Sequence, residues 1–152
     1  MSKSAEYDMP SWREHASLQA QNDLDELLGP ALGFAQEQLA KHGEFFPYAV
    51  VVRTDGQTEM DSARPDSNND RPASDEVIGA CRITLAERRD QLRAAAIVAD
   101  VRLPSGDAVQ VELEHTEGPA LVVQLPYLKK RFGRAISYGE LQVGPGTRHV
   151  WL

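Results

Sequence analysis

Apolar residues between Leu24 and Leu39 fall on one side of a helix. Leu24, Leu27, Leu28, Ala31, Leu32, Ala35 and Leu39 recur at spacings of three and four, the period that stacks side chains along one face. Gly29-Pro30 interrupts the run. A proline inside a helix costs about 3 kcal/mol, so the pattern predicts a break or restart there, with Gly43 as the stop after Lys41 and His42. The period then changes. The stretch FPYAVVVRTDGQTEM (residues 46–60) gathers β-branched and aromatic residues around Asp55-Gly56, which predicts a hairpin. Residues 61–73 mix prolines, asparagines and charges and read as an exposed, mobile loop. Ser74 is placed as an N-cap with Asp75 and Glu76 in the first turn, where carboxylates complement the helix dipole. Ile78, Cys81, Leu85, Arg89 and Leu92 follow on one stripe, predicting a second helix to about Arg93.

The last sixty or so residues read as strands separated by Pro104–Asp107 and by the TEGP turn at residues 116–119. Val109, Val111, Leu113 and His115 alternate with Gln110, Glu112 and Glu114, the period of two expected of a sheet with one wet face. Residues 120–127 and 135–143 supply further strands. The expected fold is therefore α+β: an antiparallel sheet with two main helices packed on one face, in the order α-ββ-α-βββ(β). That order is similar to profilin-like and roadblock-like folds, an analogy of topology that carries no activity. Residues 1–22 are polar apart from Tyr7, Met9, Trp12 and Leu18, and read as a flexible N-terminal arm with Trp12 as its docking residue. Residues 23–152 form a single domain.

Charge refines the picture. The net charge is −7, which argues against general nucleic-acid binding, since phosphate neutralisation needs clustered cations. Residues 23–61 carry eight acids and two bases, whereas residues 119–152 carry five bases and one acid. No apolar run approaches a membrane span, and the first residues lack a signal peptide's apolar core, so a cytoplasmic location is expected.

Candidate chemistry is sparse. The single cysteine, Cys81, excludes an internal disulfide and reads as a small buried group on a helix. His15, His42, His115 and His149 are dispersed and lack ligand spacing, so no metal or other cofactor is expected. Gly144–Gly146 has no phosphate-loop context and reads as a turn. Glu112 and Glu114 share a strand side, as acid–base pairs and exposed sheet faces both do. Ser137 and Cys81 lack a recognisable base, and the chain leans away from an enzyme. One stretch stands out. LPYLKKRFGRAISYGEL (residues 125–141) places Lys129, Lys130, Arg131 and Arg134 between Tyr127 and Tyr138. Two readings stay open: cations that protect a strand end from edge-to-edge pairing, or an anion site with the tyrosines as hydrogen-bonding walls.

KHGEFFPYAVVVRTDG (residues 41–56), LVVQLPYLKK (residues 121–130) and YGEL (residues 138–141) together resemble a family of small bacterial proteins of unknown function, common in actinobacteria. The resemblance spans roughly residues 24–143 and implies no activity, cofactor or catalytic residue. Three functions are expected in order: a non-enzymatic protein-interaction or regulatory module that self-associates; an immunity-type protein masking a basic toxin; and a sensor or enzyme that binds a small anion at the Lys129–Arg134 turn.

Overall fold

The computed structural model describes residues 12–61, 73–130 and 135–152. Helix α1 (Leu18–His42) is capped by the Ser17 hydroxyl, which accepts from the Ala20 N–H, and it ends at Gly43 with φ 73°, where the Gly43 N–H returns to the Leu39 carbonyl. It runs unbroken through Pro30, against the expected restart. The residue that loses its helical partner is Glu26, four positions earlier. Glu26 and Pro30 are both exposed, so water takes the orphaned carbonyl. Leu24, Leu27, Ala31, Ala35 and Leu39 stay buried on the far side and carry the helix across the defect. α1 begins within the segment expected as an arm. Residues 12–14 are helical as well, Arg13 pairs with Asp25 at 2.8 Å, and Trp12 packs on the core.

Next come β1 (Tyr48–Arg53), β2 (Thr58–Asp61), α2 (Ser74–Glu87), β3 (Leu92–Leu103), β4 (Gly106–His115), β5 (Ala120–Lys129), β6 (Ile136–Tyr138) and β7 (Gln142–Pro145). The order of elements and the α+β class agree with the sequence pattern. All ladders are antiparallel, and the seven strands run β2-β1-β3-β4-β5-β6, with β7 also on β5. Most of the loop expected at residues 61–73 lies outside the described residues. α2 stops at Glu87 and a 3-10 turn leads into β3, so Leu92 begins a strand rather than closing a helix. Its N-cap is Ala73, not Ser74. No helix among the described residues is long and apolar enough to cross a membrane.

The helices lie on opposite faces of the sheet, not on one. α1 covers Tyr48, Val50 and Val52 of β1 with Ala94, Ala96 and Val98 of β3. α2 covers the alternate residues, Ala49, Val51, Ala95 and Ile97. This explains why β1 and β3 are continuous apolar runs: both of their faces are buried. β5 shows the contrasting pattern. Leu121, Val123, Leu125 and Tyr127 are buried beneath α1's side, while Ala120, Val122, Gln124 and Pro126 are only half-buried.

Tyr48 fastens α1 to the sheet. Its hydroxyl donates to the Ala31 carbonyl at 2.5 Å, and its ring meets Phe34 edge-on at 4.9 Å and Phe45 at 5.7 Å. Burial pushes the Tyr48 hydroxyl far above its ordinary range. Much of the quoted GEFFPY segment is therefore a junction between helix and strand.

Candidate functional site

The sequence-selected residues Tyr127, Lys129, Lys130 and Tyr138 sit where the end of α1 meets the β5–β6 hairpin. Tyr127 and Tyr138 are register partners, with ring centroids 6.4 Å apart. Tyr127 is no cavity wall. It is buried, and its hydroxyl donates to Asp100 at 2.5 Å. Burial, then the Asp100 carboxylate, hold that hydroxyl protonated well above its usual range; burial alone also raises Tyr138. Lys129 and Lys130 instead line a cavity of about 320 Å³ with Lys41, His42 and the apolar Leu39 and Ile136. Lys129 is the last residue of β5, and the Lys130 N–H still bonds the Ala135 carbonyl, so both lysines stand at the β5–β6 hairpin beside the end of α1. Arg131 and Arg134 lie outside the described residues.

Asp100 is held above its ordinary value, chiefly by burial, and Tyr127 and Lys129 only partly offset this. A carboxyl raised in the folded state binds more proton there than in the unfolded chain. Stability therefore falls as pH rises from the ordinary carboxylate value through the folded one. Asp100→Asn keeps an acceptor for Tyr127, so it should remove that decline. Melting temperatures taken from about pH 3 to 6 should show the wild type losing ground to the variant as pH rises. Parallel curves would contradict this assignment.

Other polar groups with catalytic potential are occupied. Asp23 Oδ2 lies 2.9 Å from His115 Nε2, and Asp23 Oδ1 accepts from Arg93 at 2.8 Å. The Glu117 N–H donates to His115 Nδ1 at 3.1 Å, which makes Nδ1 the acceptor and puts the proton on Nε2, facing Asp23. Both ring nitrogens are thereby used, and a histidine with neither nitrogen available cannot serve a substrate. Glu112 pairs with Arg82 at 2.6 Å. Glu114 accepts from the backbone of His149, Val150 and Trp151 at 2.6, 2.7 and 3.2 Å. The strand side expected to be wet is thus partly covered by α2 and the C-terminal segment. Cys81 is buried on the sheet-facing side of α2. Among the described residues no group of three His, Cys, Asp or Glu side chains is placed to hold a metal.

Beyond α2, the same side of the sheet lies open. Its residues are Val101 and Leu103 of β3, Gln110 of β4, and Val122, Gln124, Pro126 and Leu128 of β5. All are half-buried except Leu128, which is 71% exposed. Gln124 donates to Gln110 at 2.9 Å, and none of these residues is charged; Glu112, opposite Val122 on the same side, borders them and is paired with Arg82. Ile83 on α2 is 63% exposed. The sequence did not single this surface out, although the alternate positions Val122, Gln124, Pro126 and Leu128 were readable as an apolar-and-amide row. No family model, curated protein or solved structure matches the chain.

Proposed function

We propose that the protein is a non-enzymatic interaction module that self-associates through the open side of β4 and β5. The uncharged strip beside α2 is the observation that carries this reading. A chain of net charge −7 repels copies of itself over most of its surface, and a strip whose one bordering acid among the described residues, Glu112, is neutralised by Arg82 is where two copies approach at least electrostatic cost. A basic partner would gain nothing there.

Area sets the strength. At about 3.3 Å per residue and 4.8 Å per strand, residues 101–103, 108–110 and 122–128 span roughly 200 Å², against about 800 Å² per partner in a standard interface. With the flank of α2 added, a reversible dimer is expected rather than an obligate one. Sedimentation across a concentration series should show a monomer–dimer equilibrium, and Val122→Glu with Leu128→Glu should abolish the dimer while leaving a folded monomer. A wild type monomeric at every concentration, or a variant that dimerises equally well, would sink the reading.

A further inference from the structure

We propose a second, independent site: the cavity between the end of α1 and the β5–β6 hairpin binds a small phosphorylated molecule, a phosphate monoester or a diphosphate. Lys129, Lys130, Lys41 and His42 border it, and none of the described residues lining it is acidic. Lys41 is engaged by Glu37 at 3.1 Å. Lys129 also acts on the Asp100 carboxyl, whose proton affinity it lowers. Two lysines on one lining match a dianion better than a monocarboxylate, which would leave one of them uncompensated.

The rest of the cavity fixes the ligand's size and shape. Leu39 and Ile136 supply apolar contact, suited to the carbon body of an ester. A volume of about 320 Å³ lies at the small end of ligand pockets, which run from about 300 to 1,000 Å³. It therefore selects a compact ester over a dinucleotide. The end of α1 opposes an anion, because a helix C-terminus carries about half a negative charge. The two lysines outweigh it. Gly43 also caps the Leu39 carbonyl, which removes one acceptor from the rim.

Titration of the full chain with pyrophosphate, and with glycerol 3-phosphate against glycerol, tests the proposal by calorimetry at low salt. Both phosphates should bind and glycerol should not. Lys129→Gln with Lys130→Gln should weaken binding at least tenfold without shifting the melting temperature of the free protein. His42→Gln, at an exposed position, should weaken it severalfold and serves where the double variant does not fold. If the lysines merely neutralise the end of α1, the wild type will bind neither phosphate and the double variant will melt lower. That result overturns the proposal, as does phosphate binding unaffected by these changes.

Discussion

Asp23→Ala should destabilise the protein by about 3–5 kcal/mol, the usual cost of removing one member of a buried ion pair. Asp23 is almost fully buried, as is His115, and Arg93 is mostly so. Without the carboxylate, the His115 Nε2–H has no acceptor and the Arg93 guanidinium loses its counter-charge. Arg93 Nε already lacks a hydrogen-bond partner, so the arginine has little else to fall back on. Each kilocalorie shifts the melting point by about 2–4 °C at this chain length, so a drop of roughly 6–20 °C is expected. Asp23→Asn should recover only part of it, because its NH₂ group takes the place of one of the two accepting oxygens and there meets another donor. A loss under about 1 kcal/mol for the alanine variant, read from urea unfolding, would mean that water substitutes for the carboxylate and that the cluster does not pin α1 to the sheet.

The same cluster shows what could be read in advance. Asp23 lies four residues before Leu27 and three after Ala20, on the stripe that α1 buries. His115 continues the row Val109, Val111, Leu113 on β4's buried side. Two polar residues on apolar registers, one in each element, signal a buried polar pair. Which strand α1 would cross is a tertiary fact that periodicity does not contain. The placement of the helices was legible in another way. YAVVV in β1 and AAAIVA in β3 have no polar alternation, and only a strand covered on both faces tolerates that. β5, by contrast, does alternate, with Leu121, Val123, Leu125 and Tyr127 buried and the residues between them only half-buried. Pro30 misled because propensity weighs a residue by type, whereas the helix turned its unsatisfied carbonyl outward to water. At the basic stretch, the pairing of Tyr127 with Tyr138 followed from the turn, but the burial of Tyr127 against Asp100 depended on two strands distant in sequence. The role of Glu114 was hidden for a similar reason: its partners are backbone N–H groups, which leave no mark in the side-chain pattern.

Gly146→Ala should loosen the C-terminal segment and expose Trp151. Gly146 bonds the Ala120 carbonyl through its N–H at 2.9 Å, and a Cβ there would meet the backbone N, C and O of Leu121 at 2.8–2.9 Å. Those atoms belong to the β4–β5–β7 ladder and cannot swing aside as a side chain would. Overpacking of this kind costs about 1–3 kcal/mol. The crossing at Gly146 also routes the chain from β7 over the start of β5 to Glu114, whose carboxylate holds three successive N–H groups, while Arg148 Nε donates to the Trp151 carbonyl. Displacing the crossing strains that grip, and hydrogen bonds to a charged group contribute about 1.5–3 kcal/mol each. In a Trp12→Phe background only Trp151 reports, so its emission should shift to the red and become accessible to a quencher. Gly144→Ala is the control: two residues away, its Cβ would meet nothing within 4 Å, and it should leave both the spectrum and the melting point nearly unchanged. If the two alanine variants behave alike, the close crossing of Gly146 over β5 is not what seats the segment. Its attachment would then have to rest on Glu114 and on the packing of Val150 and Trp151 against Leu85, Leu92 and Ile97.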